Sequence, residues 1–414
     1  MSTVLPRAAD LLIIGAGPAG LAAAQAAAEA GTGRVVVWEA GPRPGRKFLL
    51  AGRSGLNLTR ASDAAAIAAA CGPSAPRLAA CVAAYPPAAI AAWSASLGHP
   101  TFVGTSGKVF PQAMQANGLL AAWLAHLQDL GVELHCQQRL IRLQPSSLGK
   151  GWIATSAQHQ QVCASQVILA LGGGSWPSTG SDGGWCSWLS AMGVQIEPLS
   201  PANCGVEIAW DAHLRHHHQG AAVKNLCLHL ADDDASPVPP SHIGEAVITA
   251  YGLEGYAIYP AIPQLRQILQ RGDTPQLLLD LARGRSVEDL GQRLQRHARA
   301  SFANRLRKAA RLSAPAVALL RQFSTPEARQ DPKRLAAVIK ALPVPIQGLR
   351  PLAEAISTAG GVAWSQLNEH FMLHAHPGLY CIGEMVDWEA PTGGYLLSVS
   401  LAMGHHAGRA TTLK

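Results

Sequence analysis

No C-x-x-C pair occurs among the eight cysteines, Cys71, Cys81, Cys136, Cys163, Cys186, Cys204, Cys227 and Cys381. That argues against a dithiol–disulfide relay, and none of the spacings is that of a zinc ligand set, so no metal is expected. The thiols read as small buried hydrophobes of a reducing compartment. Charge is scarce at 14% and aromatics make up 5%. No apolar stretch reaches transmembrane length free of Gly, Pro and charge, so no membrane span is expected. Internal repeats are absent as well. With 48% hydrophobic residues over 414 positions, the chain reads as a folded protein with a large core, in two to three domains.

Acidic residues are few between Val287 and Lys340. Glu288, Asp289, Glu327 and Asp331 face twelve Lys and Arg there, so this segment carries roughly the whole net charge of +7. Its reading is a solvated helical face. Few aromatics are interleaved for base stacking, so nucleic acid is not the expected partner. Near the N-terminus, Arg7 followed by Leu11 to Ala28 imitates a secretion signal. Glycines interrupt that run, and the expectation is a soluble, cytoplasmic protein.

Those glycines carry the first positive signal. "DLLIIGAGPAGLAAAQAAAEAG" is an apolar strand, a glycine turn and an Ala-rich helix. Gly15 permits the tight turn, Gly17 lets a pyrophosphate approach the backbone, and Gly20 lets the helix pack on the strand. Free N–H groups at the helix start face the phosphates. "RVVVWEA" follows and ends in an acid, about 20 residues on, where a carboxylate meets ribose hydroxyls and repels a 2′-phosphate. The expected contacts here are Gly15, Ala16, Gly17, Pro18, Ala19 and Gly20, then Trp38, Glu39 and Ala40.

A plain dehydrogenase would continue into another βαβ unit. This chain enters "GPRPGRKFLLAGRSGLNLT" instead, read as an irregular, basic, Gly-rich loop. Arg46 suits a diphosphate. Lys47, Ser54, Gly55, Leu56 and Asn57 lie within reach of a flavin ring. Near the other end, Leu379 to Ile382 is a strand that turns at Gly383. Glu384 and Asp387 follow, and Thr392, Gly393 and Gly394 open a helix that starts near Tyr395. This layout puts Glu384 on ribityl hydroxyls and a helix N-terminus at the flavin's pyrimidine edge. His405 and His406, near that helix's far end, read as surface or dipole-pairing residues. A third piece, "QVILALGGGSWPSTGSDGG", is a buried strand, a close backbone approach at Leu171, Gly172 and Gly173, and a long polar loop. Before it, "GVELHCQQRLIRLQ" alternates like a hairpin strand, with the backbone near Leu140 beside adenine.

Together, "GRKFLLAGRSGLNLT", "SGKVFPQ", "LALGGGSWPSTGSDG", "STAGGV" and "GLYCIGEMVDWEAPTGGYLLSVSLAMGHHAG" resemble the YhiN/BaiN-like flavoproteins, also described as aminoacetone-oxidase-like or NAD(P)/FAD-dependent. The resemblance covers about Asp10 to Ser200 and about Gln347 onward. It implies FAD, held by a glutathione-reductase-like Rossmann domain of α/β class. It also implies a discontinuous FAD domain interrupted by an insert with a β-rich and a helical part. Gly15, Gly17, Gly20, Glu39, Arg46, Lys47, Asn57, Gly172, Gly173, Gly383, Glu384, Gly393 and Tyr395 are its implied FAD contacts. In one departure, many members carry Gly-Gly-Arg-Cys-Asn where this chain has "RSGLN", so Leu56 stands where a cysteine is found. Thiol chemistry at that position is not carried over.

Pro- and Gly-containing crossings at "PLSPANCG" and "LPVPIQGLRP" divide the chain. Residues 1–197 and 346–414 form the expected FAD domain. Residues 198–345 form the insert, β-rich over 198–285 and helical over 286–345. "RHHHQG" is read as strand, where successive histidines alternate faces and cannot share one ion. "ADDDASPVPPS" reads as loop. The expected function is FAD-dependent hydride transfer between the flavin and a small-molecule substrate or NAD(P)H. The substrate would lie where the insert faces the flavin, near Trp176, Ser178 and Thr179. With a single glycine fingerprint, NAD(P)H could visit only transiently. A flavoprotein acting with RNA, in the manner of a tRNA-modifying factor, is the alternative. Spacing names no catalytic proton donor and no oligomeric state.

Overall fold

A computed structural model describes residues 7–52, 55–146, 151–230 and 242–412. Ser54 and the "ADDDASPVPPS" segment lie outside the described residues. Two compact units emerge, Met1–Ser200 with Ile356–Lys414, and Pro201–Ala355.

The first unit is built on the strand Ala8–Ile14, whose Leu11 to Ile14 are buried in succession, the pattern of a strand covered on both faces. It pairs in parallel with Val35–Glu39 (Ile13 opposite Val37) and with Gln161–Leu169 (Ile13 opposite Ile168). Glu133–Cys136 adds in parallel beyond Val35–Glu39, and Leu379–Cys381 adds in parallel to Gln161–Leu169. A meander of Leu140–Pro145, Trp152–Ser156 and Gln161–Leu169 completes the seven strands. The expected hairpin strand in "GVELHCQQRLIRLQ" is thus two strands with different partners. The first faces a parallel neighbour because it is the third strand of the nucleotide-binding half.

The helix Pro18–Glu29 carries Pro at its start and alanines almost throughout. Small side chains let the last helix, Tyr395–Ala410, come very close. A Cβ on Gly404 would lie 2.2 Å from the Ala19 carbonyl oxygen, and one on Gly408 would lie 2.3 Å from that of Ala23. Both helices therefore touch backbone to backbone, which needs glycine at those two positions.

His405 and His406 are half-buried rather than free on the surface, because each packs against another ring. His405 stacks on Tyr85 with ring centroids 4.4 Å apart, and His406 stacks on His370 with ring nitrogens 3.1 Å apart. Burial holds both imidazoles below their ordinary value. Arg409 adds to this for His405, partly opposed by Glu29, and His370 adds to it for His406, partly opposed by Glu369. A depressed folded value means the unfolded chain takes the proton first. The stabilisation is therefore complete above about pH 6.5 and is lost as pH falls below it. The melting temperature should drop between about pH 7 and 5, and His405→Phe with His406→Gln should flatten that slope; an unchanged slope in the double variant would rule these histidines out.

The second unit holds an antiparallel seven-stranded sheet. Its spatial order is Leu342–Pro345, Gln276–Asp280, Ala222–Leu230, His242–Ile248, Gly252–Glu254, Val206–Glu207 and Gly348–Leu349. Leu228, Leu277 and Leu279 form its core with Leu290, Leu306, Leu320 and Leu335 from helices between Val287 and Lys340. The basic segment is only partly a solvated face. Arg329 donates to the carbonyls of Arg321 and Ser324, both at 2.6 Å, closing the end of the helix Ala314–Phe323. Buried Arg305 donates to the Arg329 carbonyl, and Lys340 pairs with Asp280. The histidines of "RHHHQG" fall on and just after the short helix Ala212–His217, capped by Asp211, and not on a strand. Among the described residues, no single helix is long and apolar enough to cross a membrane.

Candidate functional site

The three fingerprint glycines differ in what surrounds them. Gly15 has φ +108°, donates its N–H to the Trp38 carbonyl at 2.7 Å, and has the Ala170 carbonyl 2.3 Å from where a Cβ would stand. A Cβ on Gly20 would lie 1.9 Å from the Gly15 carbonyl oxygen. Around a Cβ on Gly17 there is nothing within 4 Å. Two glycines are thus closed by protein and one borders open space. That is the division of labour a pyrophosphate needs: tight turn, close helix packing, free approach. Gly17 caps the first helix without any side-chain bond.

Glu39 braces this loop. Its carboxylate accepts from the Ala16 N–H (3.0 Å), the Gly41 N–H (2.7 Å) and Arg46 Nη2 (3.1 Å). A carboxylate has about four acceptor positions, so about one is left for a ribose hydroxyl. Glu39→Ala should therefore weaken FAD retention by more than one lost bond to a charged acceptor, about 1.5–3 kcal/mol, because the loop loses its brace too. Equilibrium dialysis of FAD checks this; unchanged retention would remove Glu39 from the site. Trp38 is fully buried, so only its backbone borders the loop. The Gln137 and Gln138 N–H groups donate to the carbonyls of Gly41 and Glu39, which brings the chain before Leu140 to the same edge.

Arg46 to Ala51 is a short helix and not the irregular loop expected from its flanking glycines. Gly45, at φ +64°, starts it and donates to the Ala16 carbonyl at 2.8 Å. Lys47 on this helix reaches Glu384 Oε2 at 2.7 Å and Ser175 Oγ at 2.6 Å. Glu384 Oε1 accepts from the Thr358 N–H at 2.9 Å, while Thr358 Oγ1 accepts from the N–H groups of Gly174 and Ser175. One cluster thus ties together the segments at Lys47, Gly172–Ser175, Thr358 and Glu384. Motif spacing singles out neither Ser175 nor Thr358, although Thr358 lies inside "STAGGV".

The last helix begins at Gly394, φ +101°, again without a side-chain cap. A Cβ there would meet the Asn57 Oδ1 and Thr59 carbonyl, both at 2.8 Å. Ser398 Oγ donates to Thr59 Oγ1 at 2.7 Å and fixes this junction. Arg60 lies 5.3 Å from the Tyr395 ring centroid. Leu56 is buried, and Gly383 (φ +74°) is covered by the Ala19 side chain, while the Asp387 N–H donates to the Val362 carbonyl.

Three buried polar atoms along these edges have no partner among the described residues: Asn57 Oδ1 beside Gly394, Ser181 Oγ beside Gly172, and Gln138 Oε1 beyond Glu39. Buried polar atoms are normally satisfied. An open cradle at Gly17 flanked by orphaned acceptors and donors fits a long polar nucleotide. FAD bound here would supply hydride chemistry at its ring N5. Cys136, which feels both Glu39 and Arg46, is not an activated thiol: burial, the larger cause, pushes it up.

These features define the FAD-binding Rossmann class of flavin-dependent oxidoreductases, and the chain is a member of it. It belongs to the family described as HI0933-like protein Rossmann domain, which it matches over residues 9–410. It is 26% identical over 410 residues to the 3-dehydro-bile acid delta(4,6)-reductase of Clostridium scindens, covering 96% of this chain and 98% of that protein. In fold it is similar to 3-ketosteroid-delta4-(5alpha)-dehydrogenase from Rhodococcus jostii RHA1, with a TM-score of 0.51, 15% identity, and coverage of 100% and 98% of the two chains. It is likewise similar to 3-ketosteroid delta1-dehydrogenase from Sterolibacterium denitrificans, with a TM-score of 0.52, 13% identity, and coverage of 98% and 99%.

Proposed function

We propose that this flavoenzyme reduces a carbon–carbon double bond conjugated to a ketone, in a bulky alicyclic small molecule of the 3-oxo steroid or bile-acid type. The observation that carries the substrate class is the near full-length likeness to a reductase of such molecules. The chain's own residues support the redox half. The helix starts at Gly17 and Gly394 both present uncapped N–H groups. The first suits phosphate; the second suits the negative charge of a reduced ring. Lys47, held by Glu384 and Ser175, is one cation of this site and Arg46, on Glu39, the other. We place FAD in the unit Met1–Ser200 with Ile356–Lys414, on the residues described above. NAD(P)H is a transient donor in this reading.

The RNA-linked alternative is not carried forward. The named relative is a small-molecule redox enzyme, and several of the basic residues behind that idea are tied to helix ends. The test is anaerobic. Protein reduced by NADH, NADPH or light is mixed with a 3-oxo-Δ4 steroid, and absorbance near about 450 nm is followed. Return of the oxidised band with formation of the saturated ketone supports the reading. A reduced flavin that oxygen reoxidises but no enone does would overturn it.

A further inference from the structure

The first and last helices bound a cavity of about 150 Å³ beyond their cofactor-facing ends. Gln25 and Glu29 lie eight and twelve residues past Gly17, and His405 lies eleven past Gly394. At 1.5 Å per residue that is about 12 to 18 Å along each helix. Three aromatic side chains, Tyr85, Trp93 and Trp123, line this space with His405 and Glu29. Ala22, Ala26 and Ala89 keep it open.

Its walls are fixed in advance. The indole N–H groups of Trp93 and Trp123 both donate to Gln25 Oε1, at 3.1 and 2.7 Å, and the rings meet edge to face with centroids 4.8 Å apart. Gln25 Nε2 in turn donates to Glu29 Oε1 at 2.8 Å. Tyr85 and His405 are stacked on each other. A pinned aromatic lining does not have to be ordered by a ligand.

The polar groups ask for one kind of occupant. Glu29 is the formally charged group of the lining. Burial keeps the His405 imidazole neutral near pH 7 and raises the Tyr85 hydroxyl, with Glu29 adding to the latter. His405 Nδ1 is buried with no partner among the described residues. His126, 3.5 Å from Glu29 Oε1, and exposed Arg409 stand at the margin rather than in the lining. An anion would meet Glu29. A purely apolar guest would leave the buried His405 nitrogen unpaired and offer nothing to the exposed Glu29 carboxylate, which already accepts from Gln25. A cation finds a carboxylate and aromatic faces together.

We propose that this cavity is a binding site for a small organic ammonium ion of about four to six heavy atoms, with its charge at Glu29 and its alkyl part between Tyr85 and Trp93.

The probes are n-propylammonium chloride and its neutral counterpart propan-1-ol, titrated into the FAD-loaded protein by calorimetry at constant ionic strength. Saturable binding of the ammonium, at least about tenfold tighter than the alcohol, is expected. Glu29→Gln should bring the ammonium down to the alcohol's level without altering the flavin spectrum. Ala89→Leu, which fills the space and keeps the carboxylate, should abolish binding of both. Equal affinity for the two probes, absence of saturation by the ammonium, or binding that survives Ala89→Leu would overturn the proposal. Should Glu29→Gln fail to fold, the two-probe comparison and Ala89→Leu still decide it.

Discussion

Substituting Gly20 by valine is expected to yield a colourless and less stable protein, whereas Gly17→Ala is expected to yield a colourless protein of normal stability. A Cβ at position 20 would stand 1.9 Å from the Gly15 carbonyl oxygen and 3.2 Å from the Ala170 Cβ. Neither neighbour can yield. Gly15 is held by its bond to Trp38, and the Ala170 N–H donates to the Ile14 carbonyl at 2.8 Å. The first helix would have to leave the strand and carry the last helix with it. Overpacking of this kind costs about 1–3 kcal/mol, and more when backbone must move. At Gly17 nothing lies within 4 Å and φ is −80°, so alanine is accommodated by the protein and obstructs only the ligand. Flavin absorbance per polypeptide and the urea midpoint separate the two outcomes. A yellow Gly20→Val protein of unchanged midpoint would refute the packing argument, and a yellow Gly17→Ala protein would move the pyrophosphate elsewhere.

The second large effect is expected at Glu384. Glu384→Gln keeps an oxygen for the Thr358 N–H but cannot balance the Lys47 ammonium, 2.7 Å away. Lys47 retains 28% side-chain exposure and Glu384 15%. The cost should therefore fall near the low end for a broken buried pair, about 3 kcal/mol. The same change releases Lys47 from its carboxylate partner and, through Lys47, loosens Ser175. FAD affinity should fall by about a hundredfold, equivalent to roughly 3 kcal/mol. A double variant, Lys47→Met with Glu384→Leu, should regain much of the stability and none of the affinity. If Glu384→Gln and Lys47→Met each bind FAD normally, the cluster is structural only.

Much of the first half of this site could be read from the chain because its parts are close in sequence. Gly15, Gly17, Gly20 and Glu39 lie within 25 residues, and a strand, a turn and a helix in that order admit few geometries. The remainder was hidden for definite reasons. Lys47 and Glu384 are 337 positions apart, and no local pattern announces such a pair. Arg46–Ala51 is too short for helical periodicity to register between flanking glycines, so a loop was the natural reading. Thr358 acts through a hydroxyl that caps the backbone of another segment, and its neighbours in "STAGGV" give no hint of that partner. A cluster of polar residues such as His216 to His218 shows no period, so a strand is the expectation there. The local cue to a helix instead is the Asp211 cap.

The bare contact of Gly404 and Gly408 with Ala19 and Ala23 has a bearing on biosynthesis. A ribosome emits the glycine turn early and the segment that roofs it nearly four hundred codons later. Until then the nascent Rossmann sheet lacks the strand Leu379–Cys381 and its covering helix, and exposes an alanine-lined trough. Coenzyme is expected to be held only once the helix Tyr395–Ala410 is in place, so a message truncated before codon 395 should yield polypeptide that never colours.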